Sequence, residues 1–309
     1  MNPFVGTGGH GHTYPGATVP FGLVQASPDT RLEGWDGCGG YHYDDTIIYG
    51  VSHTHLQGTG VSDYGDILMM PTNYNIRKAD VWRDAYKSHF KHNSEKAEPG
   101  YYKVSLDDYN IQVELTATER TAFHRYTLAP GDSCRLFIDM MHRDNLLYYD
   151  IQIHGDTAMS GYRISKAWAT EQHCYFYAVF NHPFKDLTQL DISYQEKGKE
   201  GNERTVIEQV QVFSLAFGPY SSIEMKIGIS GTDVEGARKN LYAELENKTF
   251  DEIRTSSRSA WNNKLAKLPC PLKEKKEIEN YYTALYHCYT VPNIWSDVDG
   301  RYRGMDRKI

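Results

Sequence analysis

The residue types best suited to chemistry are concentrated between Asn2 and Thr72. Glycine is frequent in this stretch, and it is accompanied by aspartates, by aromatic residues and by the histidines His10, His12, His42, His53 and His55. Glycine permits tight turns and a close approach of the backbone to a ligand. Histidine, carboxylate and aromatic side chains on loops are the components of a polar binding site. We therefore expect the remainder of the chain to act as a scaffold for these loops.

Two of these histidines, His53 and His55, follow a strand-like run, and at a spacing of two residues their imidazoles point to the same face. Together with His10 and His12 they could bind zinc, since neutral imidazole is a common zinc ligand. Alternatively, the histidines form hydrogen bonds that brace the glycine-rich loops or bind a ligand. No cysteine or carboxylate stands at ligand spacing beside the pair, which favours the second interpretation.

Trp35 lies in the segment WDGCGGYHY, residues 35–43, where aromatic residues alternate with a flexible backbone. An exposed indole with polar neighbours is a suitable platform for a sugar ring, because it offers a flat apolar face in a wet environment. The alternative is a Trp side chain that plugs one end of the scaffold. Both interpretations stay open at this point.

Residues 297–306, DVDGRYRGMD, combine three aspartates with two arginines. Carboxylates and guanidinium groups pair with each other in a bidentate manner, and both also bind sugar hydroxyls. A ligand-binding loop and a solvated surface loop are therefore the two interpretations. The later ligands of an EF-hand calcium loop are absent.

Composition excludes several classes of protein. The 309 residues carry a formal net charge of −7, which argues against nucleic-acid binding, because that requires a basic face. No run of 18 apolar residues occurs, so no transmembrane helix is expected. Tyr outnumbers Phe by 24 to 11, an excess that suits either a sugar-binding surface or β-strands. The five cysteines form no CxxC pair and are expected to be free thiols.

Alternating apolar and polar residues predict antiparallel strands through the first 230 positions, and Ile111–Leu115 is a clear half-buried example. Short strands separated by turn signals favour a β-sandwich. The expected strands are Phe21–Ser27, Thr46–Ser52, Asp66–Pro71, Tyr101–Leu106, Ile111–Thr118, Thr121–Leu128, Cys134–Met140, Thr157–Ser165, Cys174–Asn181, Leu187–Tyr194, Val206–Phe217 and Ile223–Ser230.

A helical period replaces the alternation near residue 232. The pair Thr232 and Glu235 predicts a capping box for a first helix, and the pair Thr249 and Glu252 predicts one for a second. A third helix is expected from Lys273 to Thr290. The chain is thus predicted to be mainly β, with a β-sandwich domain over residues 1–231, a helical linker over 232–270 and the first part of a further helical domain over 271–309.

Four segments give the sequence a resemblance to a known family. They are NPFVGTGGHGHTYPGATVPFG (2–22), GWDGCGGYHY (34–43), VSHTHLQGTGVSDYGDILMMPT (51–72) and SDVDGRYRGMD (296–306). In these motifs, and along its whole length, the chain resembles the glycoside hydrolase family 92 α-mannosidases. That resemblance implies an N-terminal β-sandwich, a helical linker and a C-terminal (α/α)6 barrel, of which this chain would contain only the start.

The resemblance further implies an exo-acting, inverting, calcium-dependent enzyme that hydrolyses α-mannosides of N-glycans or mannans. Its general acid, its general base and most calcium ligands would lie beyond Ile309, so we expect no catalytic residue and no bound calcium in this chain. The implied partners are mannose-containing glycans and the missing barrel. The implied location is periplasmic or extracellular, with any signal segment absent from the sequence.

The resemblance also assigns substrate contacts. The segment 296–306 resembles a barrel loop that binds sugar hydroxyls, which implies contacts from Asp299, Arg301 and Asp306. The Trp35 segment resembles a sandwich loop on the leaving-group side. It implies contacts from Trp35 and, less directly, from three histidines, namely His12, His53 and His55. Some members have a second Trp where Gly37 stands here, which leaves the linkage preference open.

Two other functions compete with a mannosidase portion that is inactive alone. A non-catalytic carbohydrate-binding β-sandwich module also fits a Tyr-rich sandwich, and a structural interaction domain would need no ligand. The third helix favours the mannosidase portion, because its apolar stripe needs a partner that a free module would not provide.

Overall fold

The computed structural model describes residues 1–73, 81–197 and 203–309. These residues contain strands β1 to β16, followed by helices α1 Val234–Leu245, α2 Phe250–Leu265 and α3 Lys275–Thr290. The strands are β1 Ser27–Asp29, β2 Ile47–Ile48, β3 Gly50–Ser52, β4 Leu68–Thr72, β5 Ser88–His89, β6 Lys96–Glu98, β7 Tyr101–Leu106, β8 Ile111–Ala117, β9 Thr121–Thr127, β10 Arg135–Asp139, β11 Asn145–His154, β12 Ala158–Lys166, β13 Gln172–Phe180, β14 Phe184–Lys197, β15 Glu203–Phe217 and β16 Ser222–Ser230.

Two antiparallel sheets form the sandwich that the alternation predicts. One has six strands in the order β1-β3-β4-β10-β15-β14, and the other has eight in the order β11-β12-β13-β16-β9-β8-β7-β6. Along β13 every second residue from Gln172 to Phe180 is buried, as expected for a strand with one face on the core. The buried faces of both sheets contribute to a single hydrophobic cluster, which includes Leu136 and Leu215 from one sheet and Phe176 and Ile227 from the other.

Helices α1 and α2 cover the outer face of the eight-stranded sheet. Phe250 and Ile253 of α2 pack there with Tyr101 and Phe123 of the sheet. Helix α3 packs on α2, where Trp261 and Tyr286 are fully buried and their ring centroids are 4.4 Å apart. Among the described helices, none is both long and apolar enough to cross a membrane.

Most predicted strands are confirmed, but the one expected at Phe21–Ser27 is wrong, since β1 covers only Ser27–Asp29. Phe21 has a φ of 59°, which takes the backbone out of the extended region. The strand expected at Thr46–Ser52 divides into β2 and β3. Strand β2 leaves the sandwich to pair with β5 in a separate two-stranded sheet.

Strand β11 was not predicted from the sequence. It lies at the edge of the eight-stranded sheet, so most of its residues, including Tyr148 and Ile153, are exposed or half-buried. The alternation of apolar and polar residues from Tyr149 to His154 was overlooked. Tyr149 and Ile151 pack against the core at this edge.

The predicted capping box of α2 is confirmed, because Thr249 and Glu252 bond to each other's backbone N–H. The N-cap of α1 was predicted at Thr232 but lies one residue later in the chain. Its N-cap is Asp233, whose carboxylate accepts a hydrogen bond from the Gly236 N–H at 2.6 Å. Thr232 instead donates its hydroxyl to the carboxylate of Asp297. The domain boundaries after residues 231 and 270 stay predictions.

Candidate functional site

The site is organised by one loop, residues 56–65, which we call the divider loop. An antiparallel bridge between His55 and Tyr64 closes its base. Gln57 fixes the loop to α3, where its amide donates to the His287 carbonyl at 2.9 Å. The segment around Trp35 packs on this loop at Gly60, and Tyr64, near the end of the loop, lines an aromatic cleft.

Trp35 presents a flat apolar face at the surface, with 63% of the residue exposed. The other face of the indole lies directly on Gly60 of the divider loop. A Cβ atom at residue 60 would be only 2.0 Å from Trp35 Cη2, so a side chain there would displace the ring. The His12 ring packs edge-on against the indole, with centroids 5.2 Å apart. One face of the Trp35 indole therefore packs on Gly60 while the other is exposed to solvent, so the side chain does not fill the end of the sandwich.

Asp36 connects the Trp35 segment to the N-terminal histidines. One carboxylate oxygen, Oδ1, lies 2.7 Å from His10 Nδ1 and 3.3 Å from His12 Nε2. A carboxylate only accepts hydrogen bonds, so both ring nitrogens donate. The hydrogen bond from His10 is the largest contribution to the lowered pKa of Asp36. His12 is buried, whereas the His10 side chain is 81% exposed. The pair of bonds fixes the orientation of the His12 ring that supports Trp35.

His53 lies inside the sandwich and belongs to a directed chain of hydrogen bonds. Its Nδ1 donates to the Ile67 carbonyl at 2.8 Å, and its Nε2 lies 3.0 Å from His124 Nε2. Burial lowers the pKa of His53 to about 4, so the ring is neutral and Nε2 accepts from His124. His124 Nδ1 in turn accepts from the Tyr126 hydroxyl at 2.9 Å. All polar atoms of the His53 ring are thus paired with protein groups.

His55 is buried as well and braces the base of the divider loop. Its Nδ1 donates to the Gln25 carbonyl at 2.8 Å, and its Nε2 is 3.4 Å from Asp29 Oδ1. Burial alone would raise the pKa of Asp29, but the adjacent His55 and His142 together hold it well below its ordinary value. A sugar at the surface reaches neither His53 nor His55 in this structure. Their geometry agrees with the bracing interpretation.

The cleft at the Tyr64 end of the divider loop has a volume of about 560 Å³. Its aromatic walls are Tyr64, Trp168 and Trp295, with Tyr64 and Trp295 stacked at 6.0 Å. Trp168 is 76% exposed. Its loop is attached to the divider loop, because the Ala169 N–H donates to Asp63 at 3.0 Å. The polar residues that line the cleft include Glu171, His173, Arg303 and Arg307.

Of the three residues predicted to contact substrate in 297–306, Asp299 and Arg301 form ion pairs within the protein. Arg301 pairs with Asp233 at 2.6 Å and with Asp299 at 3.1 Å, and Asp299 also pairs with Lys239 at 3.0 Å. The hydrogen bond from Lys239 is the largest contribution to lowering the pKa of Asp299 to about 2. These ion pairs hold the segment on α1. Asp306 is exposed beside Gly304, Met305 and Arg307 of the cleft, and its carboxylate accepts a hydrogen bond from the Lys308 N–H at 3.2 Å.

A calcium ion needs six to eight oxygen ligands, several of them usually from carboxylates. In residues 1–73, 81–197 and 203–309, no group of three or more His, Cys, Asp or Glu side chains is arranged to hold a metal. The described residues therefore do not fit a calcium site.

Trp168 and Trp295 were missed at the sequence level, and Tyr64 was included only among the aromatic residues of the stretch Asn2–Thr72. Trp168 and Trp295 stand in polar surroundings like those of Trp35, in AWATEQ and IWSDVD, so the same criterion would have selected both. Tyr64 carries no comparable signal, because its role follows from stacking on Trp295, a residue more than 200 positions away in the chain.

Exposed Trp rings beside charged groups suit a carbohydrate ligand, because the ring offers a flat apolar face and the charged groups can bind hydroxyls. Comparisons with known proteins agree. A model of the glycosyl hydrolase family 92 N-terminal domain matches residues 1–230, and a model of the family's catalytic domain matches residues 236–309. The chain belongs to glycosyl hydrolase family 92.

Solved structures give the same assignment. The family GH92 α-mannosidase BT3965 from Bacteroides thetaiotaomicron is 32% identical, with a TM-score of 0.88 over 100% of this chain and 43% of its own. The GH92 family glycosyl hydrolase ccman5 is 26% identical, with a TM-score of 0.84 over 99% of this chain and 42% of its own.

A curated relative, described as an uncharacterized secreted glycosidase of Arthroderma benhamiae, is 23% identical over 96% of this chain and 42% of its own length. The chain therefore spans less than half the length of each of these three relatives.

Proposed function

We propose that this chain is the N-terminal portion of an exo-acting, inverting, calcium-dependent α-mannosidase that hydrolyses α-mannosides of N-glycans or mannans. The observation that carries the proposal is the exposed Trp35 on its Gly60 support, at the end of a family 92 sandwich. The likeness to BT3965, an α-mannosidase that has also been solved in complex with mannoimidazole, supports mannose as the sugar.

In this proposal the chain supplies substrate contacts. The open face of Trp35 packs on a sugar ring on the leaving-group side, and His12 holds the indole from the side. Asp306 binds hydroxyl groups at the mouth of the cleft. Contacts from Asp299 and Arg301 stay predictions, since both side chains now hold the segment on α1. For His53 and His55 we propose a bracing role only.

Proton transfer is assigned to residues outside this chain. In an inverting reaction a general acid protonates the glycosidic oxygen while a general base activates water on the opposite face of the ring. The contribution of the chain is to orient the mannoside between those groups, which lowers the entropic part of the barrier. Calcium is proposed for the whole enzyme, with its ligands beyond the described residues. The name of the Arthroderma benhamiae relative supports a location outside the cytoplasm.

Activity measurements on two forms test this proposal. We expect residues 1–309 alone to leave an aryl α-mannoside intact and a longer form that continues through the family's catalytic domain to hydrolyse it. Chelation of calcium should abolish the activity of the longer form, and added calcium should restore it. Hydrolysis by residues 1–309 alone would place the catalytic groups within this chain, and failure of the longer form on every α-mannoside would reject the mannosidase assignment.

A non-catalytic carbohydrate-binding module is the second candidate, favoured by the open indole and the aromatic cleft. Titration calorimetry of residues 1–309 with mannose distinguishes the two functions. A portion of an enzyme pocket should bind weakly, with a Kd above about 1 mM, whereas submicromolar binding would support an independent module.

A further inference from the structure

Arg143 lies beneath the site, in the turn after β10, and it joins the two loops that form the Trp35 surface. Its side chain is only 2% exposed. Nη2 lies 2.7 Å from the Gly37 carbonyl and 3.3 Å from the Cys38 carbonyl, both in the Trp35 segment. The same nitrogen is 2.8 Å from the Ser62 hydroxyl in the divider loop. A single guanidinium group thus holds the loop that carries the indole and the loop on which the indole rests.

The charge of Arg143 is balanced within the protein. Its Nη1 is 3.8 Å from Asp29 Oδ1, and Asp29 is fixed by the Ser52 hydroxyl at 2.5 Å. Since the adjacent His55 and His142 favour the ionised form of Asp29, the carboxylate offers the counter-charge that a buried guanidinium requires. Arg143 is therefore anchored from below while it donates to the loops above.

The backbone at Arg143 and at Gly65 accommodates the Arg143 side chain. Arg143 has a φ of 61°, a left-handed conformation that is uncommon for an arginine. Gly65, at the end of the divider loop, leaves the space that the side chain crosses, because a Cβ atom there would lie 2.6 Å from Arg143 Cδ. Residues held in such conformations are typical of functional sites.

We propose that Arg143 is a positioning residue for the substrate platform, which sets the place of Trp35 relative to the divider loop. This inference rests on the proposed function. Lysine is not an equivalent residue, since one ammonium group lacks the planar fork that serves acceptors on two loops and a carboxylate together. Loss of Arg143 leaves the Gly37 and Cys38 carbonyls without this donor and Asp29 without the guanidinium group beside it.

Hydrogen exchange of residues 1–309 tests the positioning role without any assay of activity. In Arg143→Met we expect the amides of residues 34–40 and 58–62 to exchange about tenfold faster or more than in the parent. Arg143→Lys should give a smaller increase. Arg125→Met is the matched control, because Arg125 pairs with Glu114 on the helix-covered face of the sandwich, and it should leave both loops unchanged.

Exchange within about twofold of the parent in both loops of Arg143→Met would overturn the inference. Should that variant not fold, Ser62→Ala replaces it, because it removes only the acceptor in the divider loop. We expect amides 58–62 to exchange about threefold faster in Ser62→Ala, and unchanged exchange there would equally overturn the inference.

Kinetics of the longer form add a measurement that a purely structural role would not affect. Arg143→Met should raise KM for an α-mannobioside about tenfold and change kcat less than about threefold, with partial recovery in Arg143→Lys. An unchanged KM would contradict the positioning role. Inactivity of the parent longer form would reject the mannosidase assignment instead, and the exchange experiment would still decide the role of Arg143.

Discussion

The Trp35 segment and residues 297–306 both have compositions suited to sugar binding, yet the structure uses them differently. Around Trp35 the charged groups, such as Arg143 and Asp29, are buried below, and the indole is left open at the surface. In residues 297–306 the acids and arginines pair with each other and with α1. Composition therefore identifies the residues able to bind a ligand, and the intramolecular partners determine which remain available.

The largest effect on stability is expected from the buried charges at the base of the divider loop. Arg163 is fully buried, pairs with Asp66 at 2.6 Å and donates to the His142 carbonyl at 2.7 Å. Arg163→Met leaves a buried carboxylate without its cation, so we expect a loss of about 3–5 kcal/mol in the free energy of unfolding, measured with urea. The exposed Arg258 provides the control, and Arg258→Met should change stability by less than about 0.5 kcal/mol. Equal stabilities of the two variants would contradict this view of the buried charges.

A smaller effect with a defined pH dependence is expected at Asp144, near the buried end of the divider loop. Burial, together with the carboxylates of Asp66 and Asp63, raises the pKa of Asp144 to about 7. The protonated form is favoured in the folded state, so this carboxyl costs stability as the pH rises from its unfolded pKa through about 7.

Asp144→Asn removes that cost. We expect the variant to gain about 1–3 kcal/mol over the parent at pH 8 and little at pH 4, as measured by urea unfolding at both values. Asp156→Asn, at an exposed position, is the control. A gain that is independent of pH would show that titration of Asp144 is not its cause.

The smallest effect on the free energy of unfolding is expected at Arg301, in residues 297–306. Its ion pairs with Asp233 and Asp299 are partly exposed, and such pairs contribute about 0–1 kcal/mol. We expect Arg301→Ala to lower the free energy of unfolding by no more than that, and the loss should shrink further in high salt. Arg238→Ala, which removes another ion pair of α1, should behave similarly. A loss above about 2 kcal/mol would mean that residues 297–306 are held as firmly as the buried network.

The sequence predicted the sandwich and the helices because alternation and helical period depend on neighbours close in the chain. The edge strand β11 was missed, although Tyr149 to His154 alternate apolar and polar residues. Trp35 rests on Gly60, and Arg301 pairs with Asp233. Because each partner is distant in the chain, neither the exposure of Trp35 nor the ion pair of Arg301 could be predicted from neighbouring residues. Asp299 forms an ion pair with Lys239 of α1, whereas Asp306 is exposed, and this difference depends on residues distant in the chain. His53 and His55 were assigned contacts by resemblance, although period 2 equally allowed the buried face that they occupy.

The central claim is that the chain positions a mannoside through the open face of Trp35. The most direct test compares Trp35→Ala with Trp35→Phe in the longer form, using kcat/KM for an α-mannobioside and the thermal midpoint of unfolding. We expect Trp35→Ala to lower kcat/KM about 10- to 100-fold while the midpoint stays within a few degrees, because the ring is largely exposed, and Trp35→Phe should retain part of the activity. An unchanged kcat/KM in Trp35→Ala, in a longer form that hydrolyses the substrate, would contradict the claim.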